Sequence, residues 1–215
     1  VVKLYDGQEI RGSVMSLNVA NDYINLLREG QPISRFYGYK LKGLDENGRY
    51  TFHDLDNDGT VNENDKTWIG NPNPNFIYGF NSTLNWKSFE LNFFIQGTQG
   101  NDIFAASMIN QNYKYYLGYN TMKEVLYDHW SPNNPNAKYP RIDRTFSTRM
   151  ADNFVYDGSY LRLKTIRLAY DLPITKIIKN EKSRGQIYIS GQNLLTITSY
   201  PWWDPDVNTN GGDNS

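Results

Sequence analysis

The chain has 215 residues, with 23 acidic and 22 basic side chains, two histidines and no cysteine. Its net charge of −1 leaves no electrostatic footprint for nucleic acid or an anionic membrane surface, and the lack of cysteine excludes a disulfide framework, a thiolate metal site and a cysteine nucleophile. Dense aromatics (17 Tyr, 10 Phe, 5 Trp) coexist with a mean hydropathy of −0.67, and no apolar run reaches the roughly 18 residues of a membrane helix.

Three explanations stay open: a soluble domain, a chain that lacks its beginning, or a membrane crossed by strands, whose alternation hides from hydropathy averages. The opening "VVKLYDGQEIRG" has neither the basic start nor the apolar centre of a signal peptide.

From the N-terminus, "GSVMSLNVA" predicts a weak strand and "SRFYGYKLKGL" a stronger one. The stretch "HDLDNDGTVNENDKTWIG", from His53, then fits the twelve-residue calcium-loop template. Asp54, Asp56 and Asp58 take positions 1, 3 and 5, and Gly59 takes position 6, where the chain turns sharply. Thr60 offers its carbonyl at position 7, Asn62 an oxygen at position 9, and Asp65 stands at position 12, one methylene shorter than the usual Glu. These six residues are the candidate Ca²⁺ ligands. The alternative is a solvated acidic turn. The flanks are rich in Gly, Pro, Asn and aromatics, so the loop is expected between strands rather than between helices, with calcium in a structural role.

"NFIYGFNSTLNWK" alternates Phe76, Tyr78, Phe80, Ser82, Leu84 and Trp86 with Gly79, Asn81, Thr83 and Asn85, the period of a strand. A tight turn at Lys87 and Ser88 leads into "FELNFFIQGTQG", with Phe89, Leu91, Phe93 and Ile95 on one face, so the two strands predict a hairpin. The connection from Gly100 to Gly158 far exceeds the roughly 12–15 residues usual in compact domains. Within it, "NTMKEVLYDHWSPNNP" predicts a short helix over Thr121 to His129, capped at Asn120 or Thr121, with Met122, Val125 and Leu126 on one face. Tyr113, Tyr115, Tyr116, Tyr119 and Trp130 are expected to pack this loop on itself. A second hairpin follows: Ile166, Leu168, Tyr170 and Leu172 share one face, as do Ile187, Ile189, Leu195 and Ile197, joined through Ile174 to Arg184.

About six antiparallel strands result, with short and long connections alternating, the layout of an all-β outer-membrane barrel with long extracellular loops. A sandwich would carry a more aliphatic face and shorter loops. The sequence has no nucleophile elbow, phosphate loop, dinucleotide fingerprint or zinc spacing, so an enzyme is not expected.

Several blocks together resemble a known family: "DLDNDGTVNENDKTWIGNPNPNFIYGFNSTLNWKSFELNFFIQGTQGNDIF", "WSPNNPNAKYPR", "DGSYLRLKTIRLAYDLP" and "IYISGQNLLTIT" followed by "WWDPDV". They look like the C-terminal barrel region of SusC/RagA-type TonB-dependent transporters of Bacteroidetes. The resemblance implies that residues 1–215 are the C-terminal part of an antiparallel transmembrane barrel, with the plug domain and last strand outside the sequence. It implies a Gram-negative outer-membrane location and import of oligosaccharides or peptides. The implied partners are outer-membrane lipid, a SusD-like surface lipoprotein, and the TonB complex reached through the missing N-terminal part. Outside the family, the other reading is a soluble, calcium-stapled carbohydrate-binding β-domain. A dockerin-like module would need a second acidic loop and paired helices.

Overall fold

The computed structural model describes residues 9–11, 14–17, 20–106, 108–109, 120–142, 148–174 and 184–206. In chain order the strands are β1 (Ile10–Arg11), β2 (Val14–Leu17), β3 (Ala20–Tyr23), β4 (Leu26–Leu27), β5 (Phe36–Gly38), β6 (Leu41–Leu44) and β7 (Tyr50–Phe52), then β8 (Thr67–Gly70), β9 (Phe76–Trp86), β10 (Phe89–Gln99), β11 (Asp102–Phe104), β12 (Val155–Asp157), β13 (Tyr160–Leu172) and β14 (Gly185–Thr198). Among the described residues a short α-helix, α1 (Lys123–Tyr127), accompanies them. The chain divides into two units: Pro74–Asn101 with Gly158–Asp206, and the remainder.

The first of these units is a single antiparallel sheet in the order β14-β13-β10-β9. Its hairpins are the two that the alternation predicts, and β10 pairs with β13 to join them. The turn between β9 and β10 closes through Lys87, whose φ is 54°. Because side chains alternate, register alone assigns the faces. Phe80 pairs with Ile95, and Leu84 with Leu91, which in turn pairs with Leu168 and through it with Ile189. Phe76, Phe80, Leu84, Phe93, Ile95, Leu168 and Leu172 thus fall on one side. Asn81, Thr83, Glu90, Asn92, Gln96, Arg167, Asp171 and Gln186 fall on the other. Ring contacts agree: Phe80 lies 5.9 Å from Phe93 and Phe89 lies 4.8 Å from Tyr170, centroid to centroid.

One irregularity interrupts the alternation. Phe94 pairs with Thr165 but Ile95 pairs with Leu163, so Lys164 is an extra residue in β13. This bulge reverses the parity of the strand. Leu161 and Leu163 therefore rejoin the apolar side instead of crossing to the polar one.

The apolar side is bare. Phe80, Leu84 and Ile189 keep 58%, 55% and 73% of their surface exposed, so nothing described in this unit covers them.

The other unit is built from short antiparallel ladders: β1 with β4, β2 with β3, β5 with β8, β6 with β7, and β11 with β12. Its core gathers Ile24, Phe36, Ile109, Met150 and Phe154, with Tyr50, Ile69, Phe104 and Val155 packed around them. Two sequence expectations change here. "GSVMSLNVA" is not one strand but parts of the β2–β3 hairpin. "SRFYGYKLKGL" breaks into β5 and β6, because Tyr39 leaves the ladder with β8. Its N–H donates to the carbonyl of Met150 (2.8 Å), and its carbonyl accepts from Asp152 (3.1 Å).

The predicted helix is shorter than expected. Its N-cap is Met122, with no side-chain cap, rather than Asn120 or Thr121. Val125 is buried, but Leu126 is 53% exposed, so a single turn offers one anchor and not a face. Trp130 packs, but outside its own loop: its ring covers Gly48 (φ 73°) in the β6–β7 turn, where a Cβ would collide with it. Tyr113, Tyr115, Tyr116, Tyr119 and most of the Ile174 to Arg184 connection lie outside the described residues.

Candidate functional site

The acidic stretch lies between β7 and β8 and is folded by its own carboxylates. Asp54 Oδ2 accepts the N–H of Gly59 (2.8 Å), which the glycine's φ of 87° turns inward. Asp56 Oδ1 accepts from Asp58 N–H (3.1 Å), and Asp58 Oδ1 from Thr60 N–H (2.7 Å). Each is a short Asx-type turn. These turns bring oxygens of Asp54, Asp56 and Asp58 within 4.8 Å of one another. Asp54 Oδ1 is buried and has no hydrogen-bond partner among the described residues.

The other three expected ligands are engaged differently. Asp65 is fully buried; its Oδ2 accepts from Asn62 N–H (2.7 Å) and its Oδ1 from Leu55 N–H (2.6 Å). With Asn62, whose side chain accepts from Asn64 N–H (2.8 Å), it closes a reciprocal capping box on the 3-10 turn Glu63–Asp65. Asn62 Nδ2 donates to Asp58 Oδ2 and to the Thr60 carbonyl, both at 3.0 Å. The N–H of Asn62, helped by those of Leu55 and Asp56, holds the Asp65 carboxyl below its usual range although burial opposes this.

Hard oxygen donors on a tight turn are the donor set that calcium takes. Two like unit charges 4 Å apart repel by about 1 kcal/mol in water and about 4 kcal/mol near a protein surface. Three converging carboxylates and an orphaned Oδ1 therefore suit a divalent cation. The Thr60 carbonyl, Asn62 Oδ1 and Asp65 Oδ2 each accept one hydrogen bond and keep a lone pair.

Sequence reasoning missed what anchors the loop. Lys66 is buried, its ammonium 4.2 Å from the Tyr23 ring and 5.3 Å from that of Tyr39, and 3.0 Å from Glu63. Arg149 donates to the Val61 carbonyl (3.1 Å) and stacks over Tyr39. A lysine after an acidic loop reads as solvated, so only the aromatic partners reveal its role.

The sheet carries its own chemistry on the polar side. Arg167 reaches Glu90 Oε1 (2.7 Å) and Gln186 Oε1 (2.5 Å) and stacks over Tyr188, while Gln186 donates to Asp171 (3.0 Å). Asn92 donates to Thr83 (2.7 Å). Charge is paired across the strands, and the rest of that face is mostly amide and hydroxyl, with Phe94 and Ala169 among them.

No protein-family model matches the chain. It is similar along its whole length, at 33% identity, to TonB-dependent receptor P3 of Formosa agariphila, of which it covers 22%. It is 24% identical over 87% of its length to TonB-dependent receptor SusC of Bacteroides thetaiotaomicron, covering 18% of it. The chain thus spans about a fifth of the length of the curated relatives it matches. Among solved structures it shares the fold of the RagAB peptide transporter, with a TM-score of 0.75 at 22% identity over 94% of this chain and 22% of that one. The same importer in its open-open state gives a TM-score of 0.74. The two-sided antiparallel sheet and these likenesses together lead to one conclusion: the chain belongs to the SusC/RagA type of TonB-dependent receptor.

Proposed function

We propose that this chain forms part of the barrel wall and outer loops of a receptor that imports large nutrients, oligosaccharides or peptides, across a Gram-negative outer membrane. A SusD-like surface lipoprotein and the TonB complex would be its partners. The carrying observation is the sheet's division into an uncovered apolar side and a charge-paired polar side. An 11-residue strand rises about 3.4 Å per residue and, at a tilt near 45°, spans about 25 Å, the height of an outer-membrane apolar band. Trp86, Phe89 and Tyr170 gather at one end of that band and Phe76 and Tyr78 at the other, where aromatic girdles belong. The soluble carbohydrate-binding alternative would bury this side against a second sheet.

Deleting the gene should abolish growth of the host on one polymeric nutrient while leaving growth on its monomer intact. Growth unchanged on every polymer the host degrades would end the import reading. The acidic loop enters as a separate proposal: Asp54, Asp56 and Asp58 hold one Ca²⁺, with Thr60, Asn62 and Asp65 completing the shell. Outside the cell, even a site with Kd of roughly 10⁻⁴–10⁻³ M is occupied. Its role is to staple an extracellular loop.

A further inference from the structure

Residues 199–206 ("SYPWWDPD") follow β14 and belong to no strand. Two tryptophans near the end of a barrel strand ordinarily mark the lipid interface. Here the charges place the segment elsewhere. Arg162 pairs in register with Gln96 and Thr196, so it stands on the polar side of the sheet. Its Nε donates to Thr196 Oγ1 (2.9 Å), and its two terminal nitrogens hold Asp204 Oδ1 and Asp206 Oδ2. The guanidinium lies 5.0 Å from the Tyr160 ring. Arg162 and Tyr160 keep only 4% and 6% of their surface exposed. A charged side chain on an open sheet face becomes buried only when something lies over it, and among the described residues what reaches it is this segment. Asp206 N–H donates back to Asp204 Oδ1 (2.8 Å), which presents both carboxylates on one side of the turn. Lys164, the bulge residue, stands 3.9 Å from Asp206.

We propose that residues 199–206 form a strap folded over the polar side of the sheet, and that Arg162 is the positioning residue that clamps it there through Asp204 and Asp206. This rests on the barrel reading, in which the polar side lines the passage. The strap then puts Trp202 and Trp203 over the passage rather than in lipid, and narrows it at the level of Gln96. A paired, planar guanidinium suits this task because it binds two carboxylates at once with fixed geometry, which an ammonium cannot.

The test uses the full-length receptor in detergent, with any cysteines outside this cysteine-free stretch removed. Arg162→Gln, and separately Asp204→Asn with Asp206→Asn, which leaves every strand residue in place, should speed amide exchange across 199–206 about tenfold while the β9–β10 hairpin is unchanged. A cysteine at Gln96 should react with a polymer-linked maleimide about tenfold faster in either variant than in the parent, whereas one at Thr83 should not change. Equal exchange in parent and both variants, or equal labelling at Gln96, would overturn the strap. Neither readout needs a cargo, so a receptor that imports nothing tested still decides the matter.

Discussion

Asp65 and Asp58 both enter the calcium template as ligands, yet the fold uses them differently. Asp65 spends its oxygens on three backbone N–H groups, one of them in the capping box, whereas Asp58 points one oxygen toward its acidic neighbours. Asp58→Ala should therefore abolish saturable calcium binding in a titration followed by Trp68 fluorescence, with loop order largely kept once calcium is removed. Asp65→Ala should raise amide exchange over Asp54 to Ile69 whether or not calcium is present. Identical behaviour of the two variants would mean that they share one role. Gly48→Ala offers a second check: a φ of 73° and the overlying Trp130 ring make a cost of about 1–3 kcal/mol expected, read by denaturant unfolding. At this scale the sequence revealed residues whose spacing is itself a signal, such as the alternating aspartates. It hid Lys66, Arg149 and Arg162, because a cation's burial depends on which aromatic or carboxylate the fold brings to it.

The long strands were legible because a period of two repeated over eleven or more residues has no rival explanation. The short ladders were not: Tyr39 changes partner within one predicted strand, a choice made by Met150 and Asp152 more than a hundred positions away. Helix α1 was overestimated because a helical pattern of a few residues promises a face that one turn cannot supply. The sheet gives a direct test of its two sides. Leu84→Lys should cost roughly 2–4 kcal/mol of folding stability in lipid, whereas Thr83→Lys, one residue along, should be nearly neutral. The strap predicts a pH response as well. Burial pushes the Asp204 carboxyl up, but the Asp206 N–H and the Arg162 guanidinium win and hold it below its usual value. Its stabilisation is therefore complete above the ordinary aspartate range, near pH 4, and is lost only as the pH falls further. Arg162, Lys164 and Asp206 are the charges around it. Tryptophan fluorescence of the receptor should be flat from pH 7 to about 5 and change only in stronger acid.

For the whole molecule, the alternation of short and long connections predicts a topology: residues 100–158 outside the cell, the β9–β10 and β13–β14 turns in the periplasm. Protease added to intact cells should cut the former and spare the latter, and the reverse pattern would invert the barrel. What the sequence could not express is how one residue keeps a wall continuous. Side-chain direction along a strand behaves like a two-letter reading frame, and Lys164 is an inserted letter that the bulge takes out of the frame. Removing that residue would put Leu163 beside Thr165, still opposite Ile95, so Leu161 and Leu163 would stay toward hydrocarbon and Arg162 toward water without a bulge, while replacing it by another side chain would leave the frame unaltered. Among descendants of this chain, β13 should thus accept almost any substitution at position 164 and even the loss of that one residue, so that the gap pattern of an alignment, and not its residue identities, would carry the record of the bulge.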